Sequence, residues 1–316
     1  MGKSKVIFIT EKWCDGRPEK GLTNNFHNLF GSLESSNLDI PYDNYFVDEI
    51  ASEGSHITYK TKEIIDKEPE LVVISFLGSS PLNPSTNMVK ELHKSGIKIC
   101  VMWPDTGYPW ALEMIESLGD AVKLHVSYGG ERIEHPYDKN HLWLWAPQDE
   151  RLFRPSTSRR PISFVGSLHG YVDRSQYLRY AVEKGVLGPE DITGGQREKA
   201  LSAEEYAHRI RSSGININFP ESPSGKDQCK GRVIESIASM TMLLERKNEA
   251  TPNLLKPGVE YVEFDTLDDF VDKIKYYKDN ELKAFEVAVA GYKTYKDKYS
   301  SNKFWTKVLE GCSVEV

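Results

Sequence analysis

The residues best suited to chemistry gather between Asp227 and Met240, where the chain reads Asp-Gln-Cys-Lys-Gly-Arg-Val-Ile-Glu-Ser-Ile-Ala-Ser-Met. Lys230, Gly231 and Arg232 stand just ahead of residues 233–239, whose apolar periodicity predicts a helix. A helix N-terminus carries unpaired N–H groups and the positive end of the dipole, and both suit phosphate oxygens. Lys230 and Arg232 would add the charge needed to neutralise a diphosphate, with arginine able to grip it bidentately. Glu235, expected in the first helical turn, offers two carboxylate oxygens to the two hydroxyls of a ribose. The plainer reading of all three side chains is ordinary surface charge, with Glu235 favoured by the helix dipole.

Several other chemistries are excluded. No G-x-x-x-x-G-K-[ST] loop is present, and no G-x-G-x-x-G follows the first apolar run, which argues against P-loop NTPases and nicotinamide dehydrogenases. Cys14, Cys100, Cys229 and Cys312 are too far apart for a metal knuckle or a redox motif. They read as reduced thiols, and the expected location is cytoplasmic. Asp268 and Asp269 read as a helix cap with dipole-matched charge rather than as a metal-binding pair. No metal and no cofactor is therefore expected, with phosphate charge met by cations and backbone N–H groups.

The net charge of −7 over 316 residues gives no global basic footprint for nucleic acid. The apolar run at residues 6–9 is far too short for a signal core or a membrane span.

The elements that must hold these residues alternate in type. Apolar runs at 6–9, 71–76, 97–103 and 121–126 read as strands buried on both faces. Helical stretches at 24–35, 57–66 and 86–95 separate them. The stretch from Leu142 to Pro155 breaks the rhythm with prolines and charges and reads as a linker. A second series follows, with strands at 162–167, 215–220, 240–244 and 261–264 and helices at 175–184, 233–239, 267–277 and 282–298. Strand–helix alternation predicts two doubly wound α/β units, whose ligands lie beyond the C-terminal strand ends.

The segment around Glu235 resembles the C-terminal domain of GT-B glycosyltransferases, especially the spore-maturation (CgeB-like) and glycosyltransferase family 4-like groups. Glu235-Ser-Ile-Ala-Ser-Met matches their E-A-x-A-x-G helix except that Met240 stands for the glycine. Pro147-Gln-Asp149-Glu-Arg-Leu-Phe153-Arg-Pro155 is similar to their interdomain linker, and Phe164-Val-Gly166-Ser167 to the first strand and turn of the donor domain. Pro257-Gly-Val-Glu260-Tyr-Val-Glu-Phe264 is similar to the stretch before the late helices. The matches span about residues 142–300, and the N-terminal half is similar only in its βα rhythm.

The resemblance implies a GT-B fold, two Rossmann-like domains facing a cleft. The expected boundaries are 1–146 for an acceptor-side domain, 147–298 for a donor domain, and 299–316 for a helix crossing back to the first. It implies transfer of a sugar from a nucleoside-diphosphate sugar, UDP- or GDP-linked, to an acceptor hydroxyl, with retention and without metal. The acceptor is left open among glycan, small molecule, protein and modified nucleic-acid base. Glu235 would bind ribose. Gly166, Ser167, Lys230, Gly231 and Arg232 would approach the diphosphate, and Asp227 the donor sugar. Gly21 and Thr23 would meet phosphate or acceptor, and Asp105 would be the acceptor-side carboxylate. Arg174 reads as a solvated helix-start arginine, and His125 as structural, as do Trp110, Trp143 and Trp145. A nucleotide-sugar epimerase and a catalytically silent binding protein remain alternatives.

Overall fold

Strand β1 (Val6–Thr10) is buried along its whole length, as the run Val-Ile-Phe-Ile-Thr requires of a strand covered on both faces. In the computed structural model, residues 5–104, 109–128, 140–158, 160–168, 171–194, 201–221 and 227–315 are described. Two units account for them, one of residues 1–147 with 301–316 and one of 148–300.

The first unit is a six-stranded parallel sheet in the order β2-β1-β3-β4-β5-β6, with β2 (Tyr42–Phe46), β3 (Leu71–Ser75), β4 (Lys98–Trp103), β5 (Leu124–Ser127) and β6 (His141–Trp143). Helical residues 24–35 comprise α1 (Asn24–Phe26), a π turn and α2 (Ser32–Ser35); α3 (Val47–Ser52), α4 (Thr61–Asp66), α5 (Thr86–Lys94) and α6 (Pro109–Leu118) complete the crossovers. β2 escapes the sequence reading because Tyr-Asp-Asn-Tyr-Phe lies at the sheet edge and needs only one apolar face. β6 corrects the linker expectation: Leu142 and Trp143 pair in parallel with Val126 and Ser127. The Pro-Gln-Asp part of that stretch is irregular. Asp149 is buried and takes hydrogen bonds from the Arg151 amide and guanidinium, which close a turn.

The second unit is a five-stranded parallel sheet, β11-β10-β9-β7-β8, with β7 (Arg160–Val165), β8 (Ile192–Thr193), β9 (Ser213–Asn218), β10 (Met242–Arg246) and β11 (Val262–Phe264). Its helices are α7 (Val172–Glu183), α8 (Ala203–Arg211), α9 (Gly231–Ala238), α10 (Leu267–Asp279) and α11 (Glu281–Thr294). Tyr177, Phe219, Phe264 and Phe270 form an aromatic core on one sheet face, with the Phe264 and Phe270 rings 4.4 Å apart. α12 (Ser301–Gly311) belongs to the first unit. There Trp305 is buried, donates its indole N–H to Ser32 Oγ at 2.8 Å and meets Phe8 edge-on.

Both units are thus parallel α/β folds of the expected Rossmann-like type. Met240, which stands where the resembling families carry glycine, follows the C-cap of α9 at φ 53°. The left-handed stop is kept although a methionine must adopt it, at a cost of about 1–2 kcal/mol.

Candidate functional site

Strand β9 reads Ser-Gly-Ile-Asn-Ile-Asn, and its period-2 alternation puts Ile215 and Ile217 in the aromatic core while Asn216 and Asn218 share the opposite face. Central strands are covered on both sides, so both asparagines are fully buried. They are paid for by hydrogen bonds to α9: Asn216 donates to Ser236 Oγ at 2.7 Å, and Asn218 Oδ1 accepts from Arg232 Nη1 at 2.7 Å.

Arg232 therefore projects from the first turn of α9 over the C-terminal ends of β7 and β9. Its guanidinium lies 5.7 Å from the Phe164 ring centroid, and a β-carbon on Gly166 would come within 2.6 Å of Nη2. Gly166 is what leaves room for that guanidinium. Its own amide donates to the Thr193 carbonyl, which ties the turn after β7 to β8.

Arg174 comes to the same place from α7. The sequence suggested a solvated helix-start arginine, and the structure corrects this: Arg174 is 3% exposed. Its guanidinium stacks 3.9 Å from the Tyr171 centroid and lies 5.8 Å from those of Phe164 and Phe219, while Nη1 donates to the Ser167 carbonyl at 2.6 Å. Burial, and then the neighbouring Arg232 charge, lower its pKa to about 10. Two guanidiniums thus flank one phenylalanine ring. The Nε of each is buried without a hydrogen-bond partner. Like charges held together in this way favour an anion between them.

The N-terminus of α9 adds to this field. Lys230 is its N-cap residue and its side chain makes no cap hydrogen bond, and the Gly231 and Arg232 amides begin the helix beside the two arginines. The Lys230 ammonium itself turns to Gln228 Oε1 at 2.6 Å. Ser167 is exposed and reaches Arg174 through its carbonyl.

Glu235 differs from expectation in position and environment. It lies in the second turn of α9, not the first, and is 9% exposed. Its Oε2 accepts from the Tyr206 hydroxyl of α8 at 2.5 Å. Burial raises its pKa against the opposing pull of Tyr206 and Arg232. Tyr206 carries no signal in the sequence, whose apolar pattern marks no helix at α8.

The remaining expectations divide. Asp227 is exposed on the approach to α9, bridged by its backbone to Glu221, and joins neither the arginines nor Glu235. Asp105 lies outside the described residues. Gly21 is exposed in the left-handed region at φ 79°. Thr23 is 5% exposed and its hydroxyl accepts from the Phe26 amide, so it caps the start of α1 rather than presenting itself to a ligand. His125 is 1% exposed and accepts from Trp103 Nε1 at 3.0 Å, in keeping with a structural part. The α10 cap is Thr266, whose hydroxyl accepts from the Asp269 amide; Asp268 and Asp269 occupy the first turn.

The sequence missed Glu11, which directly follows β1 in the first unit. Burial, with the nearby carboxylates of Asp48 and Asp15, raises it to about 7. An open cavity of about 900 Å³ flanks β8, lined by Arg160, Glu190, Thr193, Gly194, Arg209 and Lys278 among others. Arg174, Arg232 and Glu235 do not line it.

Among the described residues no three of His, Cys, Asp and Glu come together as a metal cluster, and no helix is long and apolar enough to cross a membrane.

Comparison with known proteins agrees with this architecture. No curated protein matches the sequence. Among solved structures, Anabaena HepE in complex with UDP-glucose is similar with a TM-score of 0.60 at 9% identity, over 96% of this chain and 99% of that one. A Listeria monocytogenes protein with the provisional name UDP-N-acetylglucosamine 2-epimerase gives 0.60 at 13% identity, over 98% and 96%. Sucrose-phosphate synthase of Thermosynechococcus elongatus gives 0.57 at 10% identity, over 97% and 98%. At these identities the likeness is one of fold, and the fold is that of GT-B glycosyltransferases. The model of the glycosyl transferase-like family matches residues 149–310, which is 162 of the 316 residues and spans the arginine pair, α9 and all but the last residue of α12, and the chain belongs to that family.

Proposed function

We propose that the protein is a glycosyltransferase that takes a sugar from a nucleoside-diphosphate sugar, UDP- or GDP-linked, and passes it to an acceptor hydroxyl. The observation that carries this reading is the pairing of the buried Arg174 guanidinium with that of the half-buried Arg232, each with its Nε buried, beside the start of α9, where the N-cap Lys230 side chain makes no cap hydrogen bond. Such a group of donors suits the two charges of a diphosphate, and it would stabilise the charge that develops as the nucleotide departs.

Glu235, oriented by Tyr206, is the ribose acceptor in this reading. The turn at Gly166 and Ser167 lets backbone approach the phosphates, and Lys230 adds positive charge at the rim. Phosphate charge is met by these groups, without need of a divalent ion. Asp227 is the donor-sugar carboxylate, and Asp105 and Gly21 belong to the acceptor side. Retention of configuration and the CgeB-like or family 4-like affiliation follow from the resemblance. The HepE complexes support UDP as the first donor nucleotide to test.

The test is calorimetric titration with UDP and GDP, followed by nucleotide release from their glucose and N-acetylglucosamine conjugates. Micromolar binding of one nucleotide, lost in Arg174→Ala and Arg232→Ala, supports the reading. Equal binding by wild type and both variants would remove the diphosphate assignment. The likeness to the Listeria protein favours epimerisation as the second reading. NMR of donor incubated without acceptor separates the two, because an epimerase changes the sugar with no acceptor present.

A further inference from the structure

Behind the arginine pair lies a buried acid that the proposed chemistry does not use. Glu245 sits near the end of β10, register-paired with Asn218 of β9, and is fully buried. Paired residues of adjacent strands point to the same face, so both side chains lie beneath α9. Asn218 Nδ2 donates to Glu245 Oε1 at 2.6 Å, and Asn218 Oδ1 accepts from Arg232 Nη1 at 2.7 Å. An amide used at both ends has only one workable orientation, which the Glu245 acceptor and the Arg232 donor set together. If Asn218 flipped, its NH2 would face the Arg232 donors and its oxygen would face the Glu245 carboxylate.

A second contact holds the other end of the same residue. Asn216 donates to Ser236 Oγ, which donates to the Arg232 carbonyl at 2.6 Å. Arg232 is thus gripped at its backbone and at its guanidinium by two asparagines of one strand. A buried carboxylate is costly for stability, since burial pushes Glu245 up to about 7, with Glu263 adding to the shift. Thr251, Asn218 and Asn248 oppose that shift. An apolar residue would fill the position at less cost, so holding the Asn218 amide is a function that the cost can serve.

We propose that Glu245 is a positioning residue for the donor site: through Asn218 it fixes the Arg232 guanidinium in the orientation that receives the nucleotide diphosphate. This rests on the reading that Arg232 binds the diphosphate. It predicts that Glu245 acts on the phosphates of the donor and not on its nucleoside.

The test compares UDP with uridine in calorimetric titrations of the full chain, with GDP and guanosine if GDP is the nucleotide bound. Glu245→Leu is expected to weaken UDP about tenfold and to leave uridine within twofold. Glu245→Gln, whose amide oxygen still accepts from Asn218, is expected to recover most of the loss. In an Arg232→Ala background Glu245→Leu is expected to have no further effect, because the group it positions is gone. Should Glu245→Leu not fold, the double variant Asn218→Leu/Glu245→Leu replaces it: it leaves no buried carboxyl behind, and because Arg232 then also loses its acceptor, the same selective loss of UDP over uridine is expected. Arg232→Ala failing to weaken UDP would overturn the diphosphate reading and this proposal with it. Arg232→Ala weakening UDP while Glu245→Leu does not, or Glu245→Leu weakening UDP and uridine alike, would overturn the positioning role alone.

Discussion

Replacing Glu235 by glutamine is expected to separate stability from donor binding. The side chain is 9% exposed and burial raises its pKa, so charging it is harder in the folded pocket than in water. For a carboxyl raised in this way, the stabilising contribution is complete below the ordinary value of 4.5 and is lost as pH rises through the higher folded value. Glutamine has no charge to bury, and its oxygen still accepts from Tyr206. Glu235→Gln should therefore melt at the same temperature as wild type or higher at pH 8, with the advantage vanishing near pH 4. Binding moves the other way. A ribose diol can donate to both carboxylate oxygens, and glutamine turns one of them into a donor. Losing one charge-assisted hydrogen bond costs about 1–3 kcal/mol, roughly 5- to 150-fold in Kd. The assay is calorimetric titration with UDP and with 2′-deoxy-UDP, alongside scanning calorimetry from pH 4 to 8. The penalty should shrink for the deoxynucleotide, which lacks one of the two hydroxyls. A variant that melts several degrees lower at pH 8 and binds UDP as wild type does would show that Glu235 is a core group, and the ribose assignment would fail.

Arg174→Lys should weaken UDP by about tenfold or more while Arg232→Lys does likewise, because an ammonium cannot reproduce a bidentate grip; a loss at only one position would show that the two do not share one anion. Glu11 and Glu245 are both raised to about 7, so each contributes stability that is present below pH 4.5 and lost as pH rises through about 7. Glu11→Gln and Glu245→Gln should each flatten the fall in Tm between pH 5 and 8, and an unchanged slope would contradict the burial that raises these groups. Trp305→Ala should destabilise the first unit by roughly 3–5 kcal/mol, the usual cost of deleting a fully buried aromatic, measured by urea denaturation. A cost under about 1 kcal/mol would mean that α12 contributes little to that unit's core.

Much of the fold was legible because parallel strands buried on both faces leave continuous apolar runs. Leu71–Ser75 and Lys98–Trp103 could be read directly. β2 and β6 could not, since edge strands need less apolar surface, and Tyr-Asp-Asn-Tyr-Phe and His-Leu-Trp look like loop or linker. The linker reading failed at Leu142 and Trp143 because the prolines and charges that suggested it begin only after β6 has paired with β5.

For the candidate site, residue type and spacing alone determined that a glycine, two cations and an acid surround a helix start. That much is local, because a helix N-terminus is specified by a few consecutive residues. What only the tertiary structure decided is which side chains meet there. Arg174 lies 58 positions before Arg232 and reaches the same ring of Phe164 only because α7 and α9 pack beside adjacent parallel strands. The alternation of Ile and Asn in β9 would ordinarily signal one wet face. Burial of both faces in a central strand turned those asparagines into the supports of Arg232. Thr23 moved from ligand group to helix cap for a similar reason, since the nearest amide in need of an acceptor was its own helix's. Sequence order records which groups are available, and chain packing sets the distances and the dielectric that give each its role.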